Sequence, residues 1–191
     1  MNSRTAIFAG IVVLVGLGGF LLLQTTTVTS SGVRVGHVPV AAASCHDDDN
    51  CLPEFSVRAV DGRELTRADF AGKPVLVNFW ASWCGPCVKE IPALQATYER
   101  LGAQGFAILA IAQDGTEDSI AQFAIDHHMT YAVVRSNPTL DYAFGGKPQL
   151  LPTSFLYGAD GHMQKQWQGG IAEQELSAAV LASATSANAT K

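Results

Sequence analysis

The sequence predicts a three-layer α/β domain, because apolar strand-like runs alternate with segments of helical period. The run Val75-Leu76-Val77-Asn78-Phe79-Trp80 has the character of a strand buried on both faces. Two Asp-Gly dipeptides, Asp61-Gly62 and Asp160-Gly161, each fall between strand-like segments and mark hairpins near the two ends of the domain.

Residues 55–60 alternate in polarity and meet Asp61-Gly62 before Glu64-Leu65, which predicts the first hairpin. Residues 75–80 form the central strand. From Cys84 to Leu101 the apolar residues Ile91, Leu94 and Tyr98 recur at helical spacing. Residues 106–112 read as a second buried strand, and 119–128 as an amphipathic helix with Ile120, Phe123 and Ala124 on one face. A third strand at 131–134, a closing hairpin of 153–157 with 163–168, and a last helix over 172–182 complete the series. Strands separated by helices imply a mainly parallel sheet covered on both faces, with an antiparallel hairpin at its end. The folded unit is expected over 52–184, followed by a frayed tail at 185–191.

The N-terminus indicates the compartment. After Arg4, Ala6 to Leu23 is a run of 18 residues without a charged side chain. A bilayer core of ~30 Å takes about 20 helical residues, with about 17 as a lower bound. Residues 1–23 therefore read as a signal anchor with the N-terminus inside, the basic residue preceding the span. A cleaved leader is the rival reading, although no Ala-x-Ala site closely follows Leu23. Both readings export the rest of the chain. Residues 24–51, rich in Thr, Ser, Gly and Ala and lacking any sustained period, read as a tether. A net charge of −5 argues against nucleic acid as a partner.

The chemistry is carried by Trp83-Cys84-Gly85-Pro86-Cys87, directly after the central strand and at the start of a helix. A helix N-terminus presents free N–H groups and a partial positive charge. A thiolate at Cys84 is favoured there, and Cys87, one turn inward, can resolve a mixed disulfide. Pro86 fits the first turn, where its missing N–H is not needed.

This spacing resembles thioredoxin. The longer stretch from Gly72 to Pro92 (GKPVLVNFWASWCGPCVKEIP) is similar to the TlpA/ResA/CcmG (DsbE) branch of the thioredoxin superfamily. Leu52-Pro53-Glu54-Phe55-Ser56-Val57 is similar to that branch's opening segment, and Leu151-Pro152-Thr153-Ser154-Phe155-Leu156 to its proline-bearing strand. The resemblance implies a thioredoxin-like α/β/α sandwich with a mixed sheet and an inserted helix–strand unit. It implies an exported, membrane-anchored thiol–disulfide oxidoreductase that needs no cofactor, the two thiols themselves carrying the electrons. It further implies that Pro152 is the cis-proline facing the cysteine pair and, with Leu151, shaping the substrate groove, and that Pro92 kinks the first long helix; Trp83, just before Cys84, reads as shielding the pair and contacting partners at that groove, with a plain surface-capping aromatic as the alternative. Exported proteins or peptides with cysteines or disulfides are the implied substrates: apocytochrome c, copper-site assembly proteins or misbridged chains. A membrane thiol carrier of the DsbD or CcdA kind is the implied electron donor.

One position departs from thioredoxin. Where thioredoxin places a buried aspartate on the central strand, this chain has Asn78, which cannot titrate. Glu90, three residues after Cys87 and matched by a glutamate in the branch, is the candidate proton acceptor for Cys87. A solvated helix glutamate is the plain alternative. Trp80 reads as core, and Asp114-Gly115 as a strand-exit turn.

Cys45-His46-Asp47-Asp48-Asp49-Asn50-Cys51 lies outside the resemblance. Cys45 and Cys51 fit a structural disulfide in an exported chain, a second redox-active pair, or part of a divalent-metal site. Four ligands at structural-zinc spacing are not evident, so no metal is assigned. The Gly-Pro dipeptide matches thioredoxin, a reductant at about −270 mV, and favours a reductase over an oxidase or isomerase. A peroxidase would want a lone cysteine in a Pro-x-x-x-Thr-x-x-Cys setting, which is absent. A Sco-type copper assembly factor would want Cys-x-x-x-Cys, one residue wider than Cys84–Cys87.

Overall fold

The computed structural model of the chain describes Cys45 and residues 50–186. The expected anchor at 1–23, nearly all of the tether and most of the tail lie outside the described residues. Among the described residues no helix is long and apolar enough to cross a membrane.

The body opens with strands β1 (Ser56–Arg58) and β2 (Glu64–Thr66), paired antiparallel across the Asp61-Gly62 turn. Gly62 takes φ +88°, a left-handed conformation that residues with a Cβ rarely adopt. Then follow β3 (Val75–Trp80), α1 (Gly85–Leu101), β4 (Ala107–Ala112), α2 (Glu117–Asp126), β5 (Ala132–Arg135), α3 (Pro138–Ala143), β6 (Thr153–Tyr157), β7 (Met163–Gln168) and α4 (Glu173–Ser186). β3 to β7 form one mixed sheet in the order β5-β4-β3-β6-β7. β3–β4 and β4–β5 are parallel, whereas β3–β6 and β6–β7 are antiparallel.

β3 is central and all six of its residues are buried. Its alternation sends Leu76 and Trp80 to one face and Val75, Val77 and Phe79 to the other. The first face packs against Ile91, Leu94 and Leu101 of α1, Ile120 and Ala124 of α2, and Leu176 and Val180 of α4. The second packs against Val57, Leu65 and Phe70 of the hairpin region and Leu140 of α3. Both parallel crossovers step the same way, β3 to β4 to β5. Right-handed connections therefore place α1 and α2 on one face. The opposite layer consists of the hairpin, a 3-10 turn at Arg67–Phe70 and the short α3, rather than long helices.

Beyond shifts of one or two residues at element ends, two boundaries and one element differ from the sequence reading. The folded body starts upstream of the expected Leu52, because Cys45 is buried and disulfide-bonded to Cys51. α4 runs to Ser186, past the expected end. The segment between β5 and β6 holds α3, a helix the apolar pattern did not show; Asn137 caps it by accepting from the Leu140 N–H at 2.9 Å, with Pro138 in its first turn.

The sheet edges are managed differently. β5 is met on its outer side by an antiparallel bridge between Ala59 and Val134. β7 ends the sheet on the other side and exposes Gln164, Lys165, Gln166 and Gln168, with only Trp167 buried; a register shift falls between Leu156 and Tyr157 in its pairing with β6.

Leu94, 0% exposed under the sheet, represents the α1 contact. Leu94→Ala is expected to lower unfolding free energy by about 2–5 kcal/mol, the range for a buried leucine truncated without collapse of the site. Chemical denaturation with an unchanged m-value is the measurement; a loss below about 1 kcal/mol would contradict the packing.

Candidate active site

Cys84 is the N-cap residue of α1, with extended backbone, and its Sγ accepts from the Cys87 N–H at 3.3 Å. Cys84 and Cys87 form a disulfide with Cα atoms 5.2 Å apart. Cys84 retains 5% of its surface and Cys87 none. An incoming thiolate therefore has access only at Cys84, although the opening is narrow. The N–H that meets the Cys84 sulfur belongs to the first turn, whose donors lack partners within the helix, and those donors stabilise a negative sulfur.

The loop before the pair is pinned. Asp114 accepts from the Ser82 N–H at 3.0 Å and from the Ser82 hydroxyl at 2.5 Å. The Gln113 N–H donates to the Trp80 carbonyl at 2.8 Å. Asp114 thus does more than mark a turn: it ties the end of β4 to the residues leading into Cys84. Trp83 stands 73% exposed beside the pair, whereas Trp80 is buried against the Phe123 ring, centroids 5.0 Å apart.

The Leu151–Pro152 peptide bond is cis. The pairing of Phe79 with Thr153 puts Pro152 at the end of β3 that leads to Cys84. Pro152 is buried, Leu151 is half-buried, and Leu150 before them is exposed. Between β6–β7 and the loop after α3 lies a cavity of about 310 Å³, lined by Phe79, Phe144, Leu150, Thr153 and Gln168 among others.

Glu90 follows Cys87 by three residues on the same side of α1 and is only 4% exposed. The Asn78 amide donates to Glu90 Oε1 at 2.8 Å and to Ser154 Oγ at 2.9 Å, and the Ile171 N–H donates to Glu90 Oε2 at 3.0 Å. Burial pushes the Glu90 carboxyl up from 4.5 to about 7, against the lowering effect of the two donors. The residue is not a solvated helix glutamate. Its neighbour Tyr131, which the sequence reading treated only as part of a strand, has its hydroxyl buried without a hydrogen-bond partner among the described residues. Burial, and secondarily the Glu90 charge, drive the Tyr131 phenol upward.

Pro92 lies within α1, which continues through it. Its missing N–H leaves the Val88 carbonyl without the usual helical partner. His127 caps the end of α2 and stacks on Phe123, centroids 4.1 Å apart.

The second cysteine pair lies elsewhere. Cys45 and Cys51 are disulfide-bonded with Cα atoms 5.8 Å apart, and Cys45 Sγ is 3.3 Å from His162 Nδ1. His162 was not singled out from the sequence, being 117 residues from Cys45, and only the Asp160-Gly161 turn hinted at a nearby hairpin.

Comparison with known proteins agrees with this geometry. The model of the AhpC/TSA family matches residues 49–166. Thiol-disulfide oxidoreductase ResA of Bacillus thuringiensis subsp. konkukian is 27% identical over 179 residues, 92% of this chain and 95% of that protein. ResA of Geobacillus thermodenitrificans is 32% identical over 126 residues, 65% of this chain and 71% of that protein. Among solved structures, a thiol:disulfide interchange protein of the thioredoxin family from Chlorobium tepidum TLS superposes with a TM-score of 0.67 at 28% identity, covering 73% of this chain and 99% of that one.

The raised Glu90 carboxyl has a consequence for stability. Between pH 4.5 and about 7 the unfolded chain ionises this group while the folded protein keeps the proton. Folding therefore takes up a proton, so stability falls as pH rises through that window and levels off above it, by about 3 kcal/mol in all. Glu90→Gln should remove this slope and leave the variant more stable than the parent at pH 8. Urea unfolding of the disulfide form from pH 4.5 to 8 is the measurement; a slope that persists in the variant would assign it to another group.

Proposed function

The chain belongs to the AhpC/TSA family and is a thiol–disulfide oxidoreductase with a thioredoxin-like fold, and from this we propose that it is an exported, membrane-anchored reductase of protein disulfides. The observation that carries the reading is the Cys84–Cys87 pair at the start of α1, with only its first cysteine accessible.

In the reduced enzyme, the Cys84 thiolate attacks one sulfur of a substrate disulfide. That S–S bond breaks and the departing substrate sulfur takes a proton. Cys87 then gives up its proton and attacks Cys84 Sγ, closing the 84–87 disulfide and releasing the second substrate thiol. Two electrons pass from the pair to the substrate. Glu90, near neutrality in its titration and one turn beyond Cys87, serves as the acceptor of the Cys87 proton; its carboxyl is held in place by Asn78 and Ile171. Trp83, Leu151 and Pro152 border the place where the substrate chain lies. Electrons return from a separate dithiol donor, which for a chain of this type is a membrane thiol carrier.

The reductive direction is supported by the Gly85-Pro86 dipeptide shared with thioredoxin. The 84/87 couple is expected nearer thioredoxin at about −270 mV than the strong oxidant DsbA at about −120 mV. Equilibration with glutathione or dithiothreitol buffers measures it, and a value near DsbA's would reverse the direction. In a dithiol-driven assay of insulin reduction, Cys84→Ser should fall to the uncatalysed rate, and Cys87→Ser should accumulate a covalent adduct with the substrate. Adducts that form equally on Cys84→Ser would move the nucleophile elsewhere. In the same assay between pH 5.5 and 8.5, Glu90→Gln should lose an ionisation near pH 7.

The apolar run at residues 6–23 supports the anchor. The full chain should sediment with membranes and a chain starting at residue 24 should not; equal sedimentation of both would remove the anchor from the proposal.

A further inference from the structure

The second disulfide stands at the end of the sheet away from Cys84. Cys51 is bridged to His162 in the turn between β6 and β7. The flanking bonds run from Leu52 N–H to the Gly161 carbonyl at 2.9 Å and from Met163 N–H to the Asn50 carbonyl at 2.7 Å. Those are the bonds of a non-hydrogen-bonded antiparallel pair, the arrangement that brings facing side chains closest. Cys45 completes the cluster: it is 1% exposed, its Sγ lies 3.3 Å from His162 Nδ1, and its carbonyl accepts from Arg67 Nη2 at 2.9 Å. One ligand atom from each of Cys45, Cys51 and His162 falls within 4.8 Å of the others.

Two sulfurs and an imidazole nitrogen that converge at one place form a soft donor set. Thiolates select monovalent copper or zinc over hard cations, and among the described residues no carboxylate belongs to this cluster. Closed zinc sites almost always take four protein ligands, and among the described residues three converge. With metal–sulfur distances of about 2.3 Å and metal–nitrogen distances of about 2.0 Å, a trigonal ion wants sulfurs about 4.0 Å apart and each about 3.7 Å from the nitrogen. The imidazole nitrogen already lies 3.3 Å from Cys45 Sγ, and the two sulfurs must part once the S–S bond opens.

We propose that, once their disulfide is reduced, Cys45, Cys51 and His162 bind a single Cu(I) ion in a three-coordinate site. Reduction is by an external dithiol: the Cys45–Cys51 bond breaks, the dithiol becomes a disulfide, and two electrons and two protons pass to the cysteines. On metal binding the two thiols release those protons to solvent and Cu(I) keeps its oxidation state. The reductant is a separate molecule. β3 runs from the end that pairs with Tyr157, near His162, to the end that leads to Cys84, roughly 17 Å of strand at about 3.3 Å per residue. The 84/87 pair of the same chain therefore cannot reach this one.

The test uses the full chain carrying Cys84→Ser and Cys87→Ser, so that its outcome does not depend on the oxidoreductase reading. The anaerobically reduced protein is titrated with Cu(I) against a coloured Cu(I) chelator. It should withdraw one equivalent, with thiolate-to-copper charge-transfer absorption in the ultraviolet, and the disulfide form should withdraw none. His162→Gln, which retains both cysteines, should weaken binding by about tenfold or more with an unchanged far-ultraviolet circular dichroism spectrum. Equal copper uptake by the reduced and disulfide forms would overturn the site. So would an unchanged affinity in His162→Gln, or reduced protein that takes up Zn(II) in preference to Cu(I) when both are supplied.

Discussion

A carboxyl group shut away from water joins the catalytic end of this protein. Glu90 receives donors from β3 through Asn78 and from the approach to α4 through Ile171, while Asn78 also reaches Ser154 on β6. Three segments distant in sequence therefore meet at one acid, and a fourth joins them through Asn78. Leaving an ionised carboxylate there without donors would be costly, and two donors only partly compensate for lost hydration. The group settles by holding its proton to about pH 7. The replacement of a titrating strand residue by Asn78 fits the same constraint: two acids this close would repel, whereas an amide can donate to both neighbours.

Most of the sheet was legible because its strands are apolar runs of ordinary length bounded by turn residues. β3 was readable to the residue, since Lys73-Pro74 and Ala81-Ser82 bracket an unbroken buried run. The helix at Cys84 was readable from its N-terminal proline and the spacing of Ile91 and Leu94. α3 was not, because six residues give too little period, and its only signs are Asn137 and Pro138 at the cap. The makeup of the second layer depended on which way the crossovers turn, which chain order alone does not display.

The site was legible where chemistry and local structure coincide, as at Cys84 and Cys87, and opaque where it relies on pairing across the fold. That Glu90 is buried could be guessed from its side of the helix, but its two donors come from Asn78 and Ile171, 12 and 81 residues away. Asp114 looked like turn chemistry because its partner, Ser82, sits 32 residues earlier. His162 beside Cys45 is the extreme case. The two disulfides also differ in character: one closes the first turn of a helix, and the other closes a loop within the incoming segment, which a backbone bridge at Cys51 joins to the β6–β7 turn.

The composition of β7 bears on how this molecule behaves among other chains. An outermost strand that is flat and apolar invites a foreign strand to add to it. Here the side chains along that margin are glutamines and a lysine, and Lys165 is drawn back over the Trp167 ring, 4.7 Å from its centroid, and held by Glu175 at 2.9 Å. The irregular pairing behind the strand adds twist. This flank of the molecule is thus a poor template for the β-structure of other chains, and it lies apart from the small sulfur-bearing opening at Cys84.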